Sequence, residues 1–323
     1  MNRTITLLLA VVVLGGVAWY ATSDVNKQPA KATERSTDRQ FGYAQLEDVH
    51  RIFVADRKGH QVTLTRGGIT GWLADGRPAN ENILKNLLEP VQRMEIQSLP
   101  TRAAVPNIVK NLATQGILVQ LFGADGEKLR GYYIGGGTND ERGTYAITEG
   151  SENPYVVHLP HWTGNVRHRF SHWDDEWRDK VYFRVDPDQV EYLSIEYPTQ
   201  RNKSFRLERH GNHYLMHPYY ESELPARKMP LGIGERILVR YEKYYVNRYE
   251  NGDALAIAAA REQLPFATIR IKQTDKMEQI MALYPRYVDG EVEAYRAFIN
   301  DGADWVLLNV ETTEPLLVGY GSF

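Results

Sequence analysis

The feature that most constrains the fold is a strand pattern that returns about 140 residues further along the chain. Alternating apolar and polar residues at 49–54 and 62–66 predict a β-hairpin. The same alternation returns at 190–195 and 205–209, after offsets of 141 and 143 residues. We therefore expect one module used twice; the alternative is two unrelated domains that share turn chemistry.

Individual side chains follow the same spacing. Arg66 matches Arg209 at the end of the second strand, and Trp72 falls about where Tyr214 does in the third. Glycine-containing turns separate these strands in both copies, which is typical of hairpin connections. The match extends the predicted repeat beyond its first hairpin.

Each copy then continues with two predicted helices. In the first copy Asn80 is an N-cap for an apolar face, and a second helix runs from Pro106 to Gln115, before Gly116. In the second copy the later helix starts near Asp253 and ends at Leu264. The predicted apolar faces of the two earlier helices are Ile83, Leu84, Leu87, Leu88 and Val91, and Ile237, Leu238, Tyr241 and Tyr245.

Further predicted strands close each copy, with extra residues in the second copy around 287–300. The short links favour an antiparallel sheet with its helices on one face, an α+β fold in tandem modules after an apolar N-terminal segment. The predicted domains are 41–183 and 184–323. The matched strand pairs are 117–122 with 267–272, 144–147 with 305–308, and 154–157 with 315–318.

The N-terminal sequence predicts a location at the membrane. Arg3 precedes an apolar run at 5–20, so residues 1–21 form either an uncleaved single-span anchor or a cleaved signal peptide. Residues 22–40 have almost no large apolar side chain and predict a flexible tether. We expect an inner-membrane protein with its bulk in the periplasm; signal cleavage would instead leave it soluble there.

Composition excludes several classes of function. There are 38 basic and 41 acidic side chains, a net charge of -3, whereas nucleic-acid binders usually carry a basic excess. The chain has no cysteine, which excludes disulfides, thiol catalysis and zinc–thiolate sites. No cofactor motif is present, and we predict no cofactor.

Several motifs resemble a family of uncharacterised bacterial envelope proteins, common in Bacteroidetes-type bacteria, that carry a domain of unknown function. The resemblance is strongest over about 45–200. It implies a tethered, outward-facing domain related to domains in accessory proteins of ABC transporters and gliding motility, and it implies no catalytic residues. The residues that carry it are the first-copy strands, Trp72, Ile134–Gly136, Gly143–Tyr145, Pro154–Val157 and Trp177–Phe183.

Two groups of aromatic residues are candidate sites. Tyrosine is frequent at recognition surfaces, and Tyr220, Tyr244 and Tyr249 are predicted to line an exposed patch, while Tyr241 and Tyr245 belong to the core. The weaker alternative is a carboxylate run beside two tryptophans, which fits glycan binding or cleavage. Its members are Trp173, Asp174, Asp175, Glu176 and Asp179.

Other chemistry-bearing residues have more ordinary interpretations. We interpret two histidine groups as packing or surface residues, because neither has zinc-site spacing and hairpin alternation is expected to scatter the second over both faces. The Gly135–Gly137 run is predicted to be a hairpin loop and not an anion cradle. The two groups are His158, His161, His168 and His172, and His210, His213 and His217.

Two hypotheses for function follow. The first is a non-enzymatic, membrane-tethered envelope module that binds a protein partner, accessory to a transport or secretion complex. The second is an envelope carbohydrate-binding protein or glycan-acting hydrolase that uses Trp173–Asp179. The first predicts an exposed aromatic patch, and the second predicts two convergent carboxylates in a cleft.

Overall fold

A computed structural model describes residues 38–69 and 71–322 of the chain. The predicted span at 5–20 and most of the predicted tether lie outside these residues. Among the helices that are described, none combines the length and hydropathy needed to cross a bilayer.

The contacts divide the chain into two units, which join in sequence at Trp177 and Arg178. The sequence had suggested a boundary six residues later, after Phe183. Strand Val181–Phe183 pairs with Tyr244–Tyr245, so its hydrogen bonds lie within the second unit.

The first unit contains a nine-stranded sheet in which every pairing is antiparallel. The strand order is β4-β3-β2-β1-β6-β7-β8-β9-β5. The predicted strand at 117–122 is confirmed as β6. The strands are β1 (Arg51–Ala55), β2 (Gln61–Arg66), β3 (Trp72–Ala74), β4 (Arg77–Pro78), β5 (Glu95–Ser98), β6 (Ile117–Phe122), β7 (Lys128–Gly137), β8 (Thr144–Thr148) and β9 (Tyr155–His158).

The second unit contains another nine-stranded antiparallel sheet, in the order β14-β13-β12-β11-β17-β18-β19-β20-β16. This is the same succession of strands as in the first unit, with β10 and β15 paired separately. The strands are β10 (Val181–Phe183), β11 (Val190–Glu196), β12 (Phe205–His210), β13 (His213–Pro218), β14 (Arg227–Pro230), β15 (Tyr244–Tyr245), β16 (Arg248–Tyr249), β17 (Ala267–Gln273), β18 (Gln279–Val288), β19 (Glu291–Ile299) and β20 (Asp304–Leu308).

Two helices interrupt the strands at equivalent points of each unit, which confirms the α+β prediction. Asn80 caps the first helix as predicted, because its side chain accepts hydrogen bonds from the backbone N–H groups of Asn82 and Ile83. The helices are α1 (Glu81–Arg93), α2 (Val105–Gln115), α3 (Leu231–Leu238) and α4 (Ala254–Arg261), with a short α5 (Val310–Thr313) near the end.

The helices of the first unit do not share one face, so that expectation is wrong. The large core of this unit includes Leu87 of α1 and Ile134 of β7. A smaller cluster joins Leu112 of α2 to Ile147 and Tyr133, which neighbours Ile134 on the same strand. Successive strand residues point to opposite faces, so α1 and α2 cover opposite sides of the sheet.

The predicted matches for the closing strands are also wrong by one strand. Residues 305–308 belong to β20, which occupies the place of β9 in the strand order, and not that of β8. The stretch 287–300, which is predicted to hold extra residues of the second copy, contains β19, and β19 is the counterpart of β8. Residues 315–318 contain no strand, because Pro315 lies in a 3₁₀ turn at Glu314–Leu316.

Candidate functional site

Two adjacent tyrosines follow strand β13 and meet the end of strand β11. Tyr219 and Tyr220 pack edge to face, with ring centroids 5.2 Å apart. The Tyr220 hydroxyl donates a hydrogen bond to the Glu196 carboxylate. Burial and this neighbouring carboxylate raise the pKa of Tyr220 to about 12, so the phenol keeps its proton at neutral pH.

Arginine side chains join the same cluster from two directions. Arg270 on β17 donates to Glu196 at 2.9 Å and to the Tyr219 hydroxyl at 3.3 Å. The exposed Arg201 guanidinium lies over the Tyr220 ring, 4.9 Å from its centroid. Arg201 forms no ion pair within residues 38–69 and 71–322, and its guanidinium there makes a cation–π contact with the Tyr220 ring.

The cluster continues along one face of the second sheet. Ser194 on β11 pairs with Arg206 on one side and Arg270 on the other, which places both arginines on its face. The Arg206 guanidinium stacks 3.7 Å from the Tyr192 ring centroid. We call these side chains the tyrosine–arginine face: Tyr192, Glu196, Arg201, Arg206, Tyr219, Tyr220 and Arg270.

The second histidine group lies on this face, so the expectation that alternation would scatter it is wrong. His210 pairs directly with His213, and His217 lies four residues further along the same strand as His213. Directly paired residues and residues an even number apart share a face. Glu208 lies within 3.7 Å of His210 and 3.5 Å of His217.

The histidines of the first group make local contacts in the first unit. His168 contacts the Asn165 carbonyl oxygen at 2.6 Å and the Trp162 ring, and His172 packs edge-on against Trp177. Over the described part of the chain, no three His, Asp or Glu side chains converge with a geometry suited to a metal ion.

Of the three predicted interface tyrosines, only Tyr220 belongs to the tyrosine–arginine face. Tyr244 is buried, with 4% of its surface exposed, and its hydroxyl shares a hydrogen bond with Thr313. Tyr245 is 51% exposed, so the predicted assignments of these two residues are reversed. The reason is that α3 ends at Leu238, and strand alternation in β15 then turns Tyr244 inward.

Tyr249 lies in a different polar cluster of the second unit. Its hydroxyl donates to the Asp179 carbonyl oxygen at 2.8 Å, and the Arg178 guanidinium covers its ring at 3.6 Å. Arg178 makes a bidentate pair with the buried Asp304, at 3.0 and 2.9 Å. Burial alone would raise the pKa of Asp304, but hydrogen bonds from Arg178 and two asparagines, with the arginine charge, lower it to about 2.

The carboxylate run at 173–179 supports local structure. Trp173 stacks on His60 with ring centroids 5.4 Å apart, and Glu176 accepts a hydrogen bond from the Trp173 backbone. Asp179 pairs with Arg184 at 2.6 Å in the second unit. Asp174 and Asp175 lie in a 3₁₀ turn that ends at the buried Trp177. The structure therefore divides these residues between the two units.

Comparisons with family models, curated proteins and solved structures give no match to this chain.

Sequence reasoning missed Glu196, Arg201 and Arg270. They are 5 and 69 residues apart in sequence, and only the pairing of β11 with β17 brings Arg270 beside Glu196. The available signal was the run Tyr219-Tyr220 after a predicted strand, together with polar residues at alternate positions of β11.

Proposed function

We propose that the chain is a tandem duplication of one α+β module, and that it acts as a non-enzymatic, membrane-tethered envelope module. In this proposal it binds a protein partner as an accessory of a transport or secretion complex. The observation that carries the partner-binding part is the tyrosine–arginine face, and the duplication rests on separate evidence.

The duplication is supported by strand order and by two equivalent arginines. Arg66 donates hydrogen bonds to the carbonyl oxygens of Val49 and Leu46, just before β1. Arg209 donates to those of Pro187 and Asp188, just before β11. Each arginine thus forms hydrogen bonds to the turn that precedes the first strand of its own sheet. The acceptor positions Leu46 and Pro187 are again 141 residues apart.

The same register occurs one strand further on. Arg66 pairs across the sheet with Trp72, and Arg209 pairs with Tyr214. Two unrelated domains would have no reason to share both the strand succession and this side-chain register, because the rules for strand connections leave several topologies open and set no side-chain register.

The membrane part of the proposal rests on the N-terminal sequence. Arg3 and the apolar run at 5–20 are typical of a single inner-membrane span with the following residues outside the cytoplasm. The described residues begin at Asp38, within the last three residues of the stretch 22–40 that we propose as a tether.

The tyrosine–arginine face suits a protein partner because its anchors are already ordered. Tyr220 is held by Glu196 and by Arg201, so little side-chain entropy is lost when a partner packs on its ring. Tyrosine and arginine are the residue types that dominate binding energy at protein interfaces. The unpaired charge of Arg201 selects a partner that presents a carboxylate beside an apolar or aromatic side chain.

The test is a pull-down of the tagged full-length chain from its host membranes in mild detergent, with mass spectrometry of partners and of its own N-terminus. The variants are Tyr220→Ala and Arg201→Glu. Tyr245→Ala is the matched control, because Tyr245 is an exposed tyrosine of the same unit outside the face.

The proposal predicts one stoichiometric partner that both face variants lose and the control retains, together with an intact segment at 5–20. A partner retained by both face variants would reject the face as the binding site. A chain that begins near Thr22 would reject the membrane anchor.

A further inference from the structure

A cleft of about 290 Å³ opens in the first unit between α2 and the C-terminal end of β7. It lies on the face of the sheet that α2 covers, beside the run Gly135–Gly137. This run belongs to β7 and is not the hairpin loop that the sequence suggested; the loop follows it at 138–143.

The glycine run shapes the cleft through a β-bulge. Ile134 pairs with Ala146 and Gly137 with Thr144, so Gly135 and Gly136 together face the single residue Tyr145. A bulge leaves the extra residue outside the hydrogen-bond ladder, and such bulges are frequent beside binding sites.

The two bulge glycines have different roles. A Cβ at Gly135 would lie 2.8 Å from the Leu112 side chain and 3.0 Å from the Tyr145 carbonyl oxygen, so this glycine allows α2 to approach the sheet. A Cβ at Gly136 would meet no atom within 4 Å. Gly136 therefore leaves the cleft open without being required by the packing around it.

The polar side chains that line the cleft are all uncharged. Asn107 and Asn111 come from α2, Asn139 from the loop after β7, and Tyr145 from β8. Within the described residues, none of these four side chains makes a hydrogen bond to another part of the chain. Buried faces of Ile108 and Leu112 complete the lining.

The rim of the cleft is held by its own hydrogen bonds. The Thr138 hydroxyl donates to Asp140 and accepts from the Gly143 backbone N–H at 3.1 Å. Gly137 packs closely against Asn165, whose side chain also accepts a hydrogen bond from Thr144. The loop carrying Asn139 is thus ordered in advance, which lowers the entropic cost of binding.

We propose that this cleft binds a neutral, hydroxyl-rich ligand of the size of a mono- or disaccharide. Each carboxamide offers both donors and an acceptor, which match hydroxyl groups that also donate and accept. The absence of charge among the lining side chains disfavours anionic and cationic ligands. The volume is close to the lower end of ligand pockets, about 300 Å³, which suits a small ligand.

The experiment is a titration of the purified full-length chain with maltose, cellobiose and N,N′-diacetylchitobiose, followed by calorimetry and saturation-transfer NMR. The detergent must carry no sugar headgroup. The variants are Gly136→Leu, which adds a bulky side chain to the lining of the cleft, and Asn111→Ala, which removes one carboxamide. The matched control is Gly232→Leu, an exposed glycine of the second unit whose Cβ would also meet no atom within 4 Å.

We expect at least one saccharide to bind saturably, with affinity weakened about tenfold or more by Gly136→Leu and several-fold by Asn111→Ala, but unchanged by Gly232→Leu. No saturable binding by any of the three saccharides would overturn the proposal. Unchanged binding in Gly136→Leu would also overturn it, as would saturable binding of an N-acetylated, and therefore uncharged, alanine tripeptide amide in place of the saccharides. The loss of a protein partner in the Tyr220 variants is a separate readout, so either proposal can fail alone.

Discussion

The two units share one strand order but treat the face under their second helix in different ways. In the first unit, β7 carries Gly135 and Gly136 there, and a cleft remains beside α2. In the second unit, Tyr284 and Pro285 stand at the corresponding positions of β18. In each unit, these two positions directly follow the residue that pairs with the first residue of the preceding strand. Tyr284 packs with Phe298 and Trp305, at centroid distances of 5.8 and 5.7 Å, and the Phe298 and Trp305 rings lie 4.5 Å apart.

The difference shows that the residues that form the sheet and the residues that shape a site on it are separate parts of the sequence. Alternating buried residues on β1, β6 and their counterparts fix the sheet in both units. On the face under the second helix, two glycines leave a cleft in the first unit, whereas two bulky residues at the same positions accompany an aromatic cluster in the second unit. A fold can therefore be shared while the sites on it diverge.

The second unit has a further feature that sharpens this contrast, a buried ion pair at the start of β20. Asp304 accepts both hydrogen bonds of Arg178, while Asn153 stands at the corresponding position of the first unit. We expect Asp304→Ala to lower the free energy of unfolding of the second unit by about 3–5 kcal/mol, because it removes the carboxylate that accepts both hydrogen bonds of the buried Arg178 guanidinium. Urea unfolding with hydrogen exchange resolved by unit measures this, and a loss below about 1 kcal/mol would contradict it.

The same carboxylate predicts a difference in acid stability between the units. The pKa of Asp304 is lowered to about 2 in the folded chain, against about 3.9 when unfolded. Its contribution, on the order of 2 kcal/mol, is therefore present above about pH 4 and lost as the pH falls from 4 to 2. Asp304→Asn should remove this part of the acid dependence, as measured by thermal unfolding across that range. An unchanged slope would show that other carboxylates dominate.

The two bulge glycines give a matched pair of substitutions in the first unit. Gly135→Ala should lower the free energy of unfolding by about 1–3 kcal/mol, because its Cβ would crowd Leu112 and the Tyr145 carbonyl oxygen. Gly136→Ala should be neutral or stabilising by up to about 1 kcal/mol, since alanine restricts the unfolded chain. Denaturant unfolding of both variants decides this, and equal effects would mean that α2 does not depend on the close approach at Gly135.

The smallest expected effect tests the similarity of the units. Arg66→Ala and Arg209→Ala should each lower the free energy of unfolding of their own unit by about 1–2 kcal/mol, because each removes charged hydrogen bonds to two carbonyl oxygens. The double variant should show the sum, since the arginines have no partner in common. Hydrogen exchange by unit is the measurement. An effect confined to one unit would break the equivalence.

The sequence predicted local structure well where residues close in sequence decide it. The Asn80 cap and strand 117–122 were correct, because a cap and an alternating strand depend on neighbours within a few residues. Helical spacing failed for Tyr244 and Tyr245, because α3 ended earlier than the apolar pattern did. The closing strands were misassigned, because several alternating segments were compatible with the same position in the strand order and only cross-strand pairing selects among them.

The candidate site was predicted less well, for a related reason. Tyr220 stood out in the sequence by its residue type and its place after a strand. Its partners Glu196 and Arg270 did not stand out, because β11 and β17 become neighbours only when the sheet forms.

By itself, the sequence determined the α+β class and the spacing of the matched strands, because apolar periodicity and turn residues act over short distances. The tertiary structure decided which face each helix covers, which tyrosine is buried, and where uncharged side chains gather around an open cleft. These properties depend on strand register and on close packing between segments far apart in sequence, and a shift of one residue in register would move every side chain to the other face.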